Sequence, residues 1–107
     1  MGEPVEQAQA PMIEASIEII EIIDETTVGM LGVVRVPMGN MTFGTYTLPD
    51  GSTARDWICS LALEGGGVFV GKGSMVEVGG VSWRVVEVRK TPGELGSVTL
   101  QRMQGSL

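Results

Sequence analysis

The stretch "MVEVGGVSWRVVEV", residues 75–88, constrains this chain more than any other part of it. Val76 and Val78 alternate with Glu77, Val81, Trp83 and Val85 alternate with Ser82 and Arg84, and Gly79-Gly80 divides the two runs. Successive side chains of an extended strand point to opposite faces, so a period of two gathers the apolar residues on one side. Paired glycines accept the left-handed torsions of a two-residue hairpin turn. The stretch reads as a hairpin. Val86 and Val88 lie on the other parity, which requires a bulge near 85–86 or burial on both faces.

The same period recurs on either side. In "TYTLPDGSTARDWICSLALEG", residues 45–65, Trp57, Cys59, Leu61 and Leu63 alternate with Ile58, Ser60, Ala62 and Glu64. "LPDGS" has turn chemistry: Pro49 presets its torsion, Asp50 bonds nearby backbone, and Gly51 tolerates positive φ. These features predict a hairpin of strands 43–48 and 54–64. After the loop "KTPGELGS", the run "SVTLQRM" sets Val98 and Leu100 on one face and Thr99 and Gln101 on the other. Cys59 fits a small buried apolar residue, since there is no histidine to activate it. Trp57 and Trp83 sit on alternating apolar faces and read as core anchors.

"MIEASIEIIEII", residues 12–23, alternates Ile13, Ala15, Ile17 and Ile19 with Glu14, Ser16 and Glu18, then slips parity at Ile20, Ile22 and Ile23. A helix would also place Ile13, Ile17 and Ile20 on one face. Isoleucine is stiff at its first side-chain torsion and packs well on a pleated surface, which favours a strand with a bulge and solvent-facing Glu14, Glu18 and Glu21. Residues 24–46 are broken by Gly29, Gly32, Pro37, Gly39 and Gly44 and carry Met30, Met38 and Met41. They are expected to form a long adaptable loop around a short "VVRV" strand, serving either function or a plain surface excursion. Residues 1–11 are polar, hold Pro4 and Pro11, and read as an N-terminal arm. The expected whole is a single domain over 12–107. It is an all-β barrel or sandwich of mostly antiparallel strands, with a long inserted loop.

Composition narrows the chemistry. The chain has 107 residues, 43% of them hydrophobic and 19% charged, as a folded domain does. No apolar run reaches the ~18 residues of a membrane span, and the first residues carry glutamates and no base, unlike a secretory leader. With no histidine and one cysteine, neither a Ser–His or Cys–His pair nor a Cys/His zinc site is available. "GGVFVGKGS", residues 66–74, has the glycine and lysine spacing of a phosphate loop, but its interior is β-prone and Lys72 is followed by glycine. A working phosphate loop needs a helix opening at that point and a Ser or Thr for magnesium. No catalytic, cofactor or metal residue is therefore assigned. Residues 1–50 carry eight acids against the single base Arg35, whereas residues 51–107 carry five acids against six bases. Such halves either form a solvated acidic face or meet between copies.

Residues 72–103, "KGSMVEVGGVSWRVVEVRKTPGELGSVTLQRM", resemble the ends of small head–tail joining proteins of tailed bacteriophages, the head-closure or stopper proteins of the lambda-type neck. The likeness lies in the glycine-turn hairpin Val78–Trp83, the "VVEV"-like continuation Val85–Val88 and the closing strand Ser97–Met103. It covers about a third of the chain. It implies a non-enzymatic virion protein at the neck that assembles as a ring with copies of itself, usually six, between portal-side adaptor and tail terminator. DNA would pass through the lumen without specific binding. The resemblance also implies a loop reaching toward the channel. By position alone, that role falls on residues 26–46, with Met30, Arg35, Met38 and Met41 as its contact candidates. Glu14, Glu18, Glu21, Arg84 and Arg89 are the candidate charges between subunits. Another phage barrel (tail terminator, tail tube or capsid decoration) and a bacterial binding module are the competing expectations.

Overall fold

A computed structural model of the chain describes residues 18–103. Eight strands run β1 (Ile20–Asp24), β2 (Val28–Leu31), β3 (Val34–Thr47), β4 (Thr53–Leu63), β5 (Gly66–Val70), β6 (Met75–Val78), β7 (Val81–Arg89) and β8 (Ser97–Arg102). They form two antiparallel four-stranded sheets, ordered β1-β8-β7-β6 and β2-β3-β4-β5. No helix occurs among the described residues. The all-β expectation holds. The expected arm at 1–11 and the first part of the 12–23 strand lie outside the described residues.

The hairpins form where turn chemistry and period agree. Gly79 and Gly80 take φ of 61° and 80°, the torsions of a two-residue turn that twists with its flanking strands. At the other hairpin Asp50 accepts from the Ser52 N–H at 2.9 Å, and Leu48 N–H donates to the Ser52 carbonyl at 2.7 Å.

The core lies between the sheets. Val36, Met38 and Met41 of β3 and Cys59, Leu61 and Val70 of β4 and β5 face Ile23, Val76, Val78, Trp83, Val85, Val98 and Leu100 from the other sheet. The Trp83 indole N–H meets no acceptor among the described residues, so this residue stabilises the core through buried area alone. Trp57 is half-buried and packs against the cluster.

The expected loop over 24–46 is corrected: these residues build β2 and most of β3. The glycines and Pro37 misled the reading because β3 accommodates them. Pro37 is exposed and pairs with Val28 of β2. The ladder from β3 to β4 begins only at Met38 with Leu61, so a missing N–H toward β4 is tolerated; Gly39-Asn40 form a bulge between Met38 and Met41.

Two parity expectations also change. β1 turns Glu21 and Ile23 inward, as the turn after it does Glu25, and leaves Ile20 and Ile22 exposed, the reverse of a solvent-facing Glu21. Because the side-chain period is two, a one-residue choice flips the whole face. In β7 the register shifts between Val85 and Glu87, which is the bulge expected near 85–86. That bulge brings Arg84 and Arg89 to the same outer face, opposite Gln101 and Ser97, although simple alternation puts them on opposite sides.

Candidate functional site

The most connected polar group is Glu25, in the turn between β1 and β2. Its Oε1 accepts from Gly96 N–H at 2.8 Å and from Lys90 Nζ at 2.8 Å, and its Oε2 accepts from Met41 N–H at 2.8 Å. Lys90 also donates to the Glu94 carbonyl. The carboxylate is buried yet held down to a pKa of about 2, first by the Lys90 hydrogen bond, then by the Met41 and Gly96 amides, against the opposing effect of desolvation. One side chain thus ties the β1–β2 corner to the β3 bulge and the 89–96 loop. Every lone pair so engaged is spent on the fold, which makes this a structural pin. Sequence reasoning passed over Glu25 because its three partners lie 16, 65 and 71 residues away.

The second feature is a tyrosine latch. Tyr46 donates its hydroxyl to the Lys72 carbonyl at 2.7 Å, and its ring lies where Gly71 has no side chain. A Cβ at Gly71 would stand 2.5 Å from the ring Cζ. Here the glycine-rich stretch finds its use: after β5 the chain passes beneath Tyr46, turns at Gly73 with φ of 93°, and enters β6. Strand, not helix, follows Lys72, so no helix N-terminus is present there to receive phosphate.

Cys59 is fully buried, and burial pushes its thiol up to about 12, with Glu25 adding to the effect. It has the properties of a core residue. No cluster of three or more potential metal ligands occurs among the described residues. None of the described helices is long and apolar enough to cross a membrane, since none is present.

What the surface does offer is apolar edges. β5 pairs only with β4, and β6 only with β7, so each leaves one edge without a hydrogen-bonded strand. At this seam Phe69 is 65% exposed, and Val68 and Met75 are also exposed. Two hollows of about 350 and 440 Å³ run along the seam and share Leu63, Val68 and Glu77 in their walls. On the far side of the molecule, the edge strand β1 shows Ile22, 63% exposed, beside Ile20. On β3 and β4, Phe43 is half-exposed, packs edge-on to Trp57 with centroids 5.7 Å apart, and carries the Arg55 guanidinium 5.2 Å above its ring. The opposite seam, between β1 and β2, is closed by Ile23 packed directly over Gly29.

The sequence-predicted contact residues scatter across this surface. Met30 and Arg35 are exposed cross-strand neighbours on the outer face of β2 and β3. Met38 and Met41 are corrected to core positions, 3% and 7% exposed, because the segment that carries them is a strand. Glu18 is exposed and Glu21 half-buried, while Glu14 lies outside the described residues. Arg84 is exposed, and Arg89 pairs with Glu87 at 3.1 Å in solvent. Sequence analysis missed the Val68–Phe69–Met75 seam, although the unbroken apolar "VFV" was its signal. No protein-family model, no curated protein and no solved structure matches the chain.

Proposed function

We propose that this protein is a non-enzymatic assembly subunit whose work is contact with copies of itself and with neighbouring proteins. The observation that carries the reading is the pair of unpaired strand edges at the β5–β6 seam, lined by exposed Val68, Phe69 and Met75. Open edges bearing large apolar side chains are templates for pairing with another chain, and soluble proteins that do not use them blunt them with charge, proline or a covering loop. Along this seam Glu77 borders both hollows, with Arg35 and Glu64 at one of them, while Val68, Phe69 and Met75 remain exposed.

The particular setting we propose is the bacteriophage head–tail junction, as a ring that joins the portal-side adaptor to the tail terminator and helps retain packaged DNA. Its support is the resemblance of residues 72–103 to head-closure proteins. The acid-rich first half also suits a lumen through which DNA slides, because few counterions are displaced from the phosphates. A ring requires two different complementary patches on each subunit, and the acidic and mildly basic halves of the chain offer them.

Sedimentation velocity over a concentration series tests the general reading. Assembly predicts species well above the 11.3 kDa monomer. A lone monomer at every concentration, with neck proteins added as well, overturns it. The setting is tested by locating the protein in purified particles: presence at the neck supports it, and absence from the virion removes it while leaving self-association standing.

A further inference from the structure

Resting on the assembly reading, we infer that the β5–β6 seam receives residues 12–17 of a second copy as an added strand. The seam joins two strands that share no ladder. In sequence around the molecule, β1-β8-β7-β6 is followed by β5-β4-β3-β2, and hydrogen bonding fails between β6 and β5. The two hollows that share Leu63, Val68 and Glu77 form one trough along this gap. Its inner wall is apolar: Val76 and Val78 of β6 and Val70 of β5 point into the core, and Val68 points the same way but stays exposed at the opening. A strand laid here would meet free backbone groups on both sides, with valines beneath it and solvent above.

Residues 12–17, "MIEASI", match that cross-section. Ile13, Ala15 and Ile17 supply one apolar face, while Glu14 and Ser16 would look outward. Large, small, large is a suitable order for a groove already partly filled by Val68. The segment has no basic residue and no proline, so each of its N–H groups is free to join a ladder.

Reach decides which copy donates it. The Ile19 carbonyl accepts from Arg102 N–H at 2.9 Å, which fixes the chain at the β1 edge. The seam lies beyond β6, four strand spacings away, or about 19 Å at ~4.8 Å each. Only Glu18 separates residue 17 from Ile19, and one residue spans at most about 3.6 Å. The segment therefore cannot reach the seam of its own molecule. Donation to a second copy is a head-to-tail contact, which propagates into a ring when the rotation closes.

The test uses full-length protein in three forms. The donor variant carries Ile13→Glu and Ile17→Glu, and the acceptor variant carries Val68→Glu. Native mass spectrometry should show the parent as oligomers and each variant alone as monomer. An equimolar mixture of the variants should give a one-to-one heterodimer, because one intact donor meets one intact acceptor. A synthetic peptide of residues 11–18, added to the parent, should break the oligomers down and appear bound one per chain. That measurement stands even if Val68→Glu fails to fold. Oligomers that persist in the donor variant and resist the peptide would sink this inference while leaving self-assembly in place. A parent chain that never associates and binds no peptide would sink both. A monomeric parent that binds the peptide would show a strand-accepting seam but remove donation by a second copy, and so overturn both the inference and the assembly reading.

Discussion

At the scale of single residues, the arrangement around Glu25 makes the sharpest demands. Removing one member of a buried ion pair leaves the other charge and its donors without compensation, which costs about 3–5 kcal/mol in comparable sites. Glu25→Ala should therefore lower stability by about 3 kcal/mol, read as a shift in denaturant midpoint at constant slope, with Lys90, Met41 N–H and Gly96 N–H all losing their acceptor. The pH dependence follows from the same contacts. Because the folded-state pKa is depressed from 4.5 to about 2, the carboxylate contributes its stability fully above pH 4.5 and loses it as the pH falls through about 2. Unfolding free energy should decline across that acid window in the parent and decline less in Glu25→Gln, which has nothing to protonate there. Cys59 gives an independent check. Buried, with its thiol pushed to about 12, it should resist maleimide at neutral pH and react at the rate of global unfolding. Rapid labelling of the native protein would contradict its place in the core.

At the scale of elements, the β3–β4 hairpin is longer than its core and is held at its outer half by the Tyr46 latch. Tyr46→Phe keeps the ring and removes a single hydrogen bond to the Lys72 carbonyl, so a loss of about 1 kcal/mol is expected. Gly71→Ala forces a methyl group into that ring and should cost more, about 1–3 kcal/mol, as overpacking does elsewhere. Thermal melts of both variants check the order; equal or reversed effects would show that the ring does not rest on Gly71. The strands themselves divide into those written locally and those that are not. β4, β6, β7 and β8 announce themselves through alternation and turn residues lying next to each other in the chain. β2 and the first half of β3 do not, because Gly39-Asn40 interrupt the period and Pro37 is harmless only because it lies just before the ladder from β3 to β4 begins at Met38. The placement of Arg84 and Arg89 on one outer face likewise depends on a bulge whose presence was legible but whose effect on parity needs the register with β8.

At the scale of the whole molecule, the proposed assembly would rest on one of two forces. Apolar strand addition and attraction between acidic and basic halves respond oppositely to salt. At about 1 M sodium chloride the screening length falls to about 3 Å, which removes long-range charge attraction, while sulfate strengthens apolar burial. If the seam carries the contact, oligomers should survive sodium chloride and grow with ammonium sulfate in sedimentation velocity. Dissociation by sodium chloride alone would assign the contact to charge, with exposed residues such as Arg84 and Glu18 as the first to test.

The sequence alone determined that this chain folds as antiparallel β structure, where its two clearest hairpins turn, that Cys59 and Trp83 are buried, and that "GGVFVGKGS" leads into a strand. These follow from a two-residue period and turn chemistry, which act over a few neighbouring residues. Only the tertiary structure decided which face of β1 looks inward, that Met38 and Met41 belong to the core, and that the β5–β6 edges stay open. The physical reason is separation along the chain. A buried carboxylate satisfied from 65 and 71 residues away, and a strand edge left without a partner, are properties of elements brought together, and no local window of residues contains them.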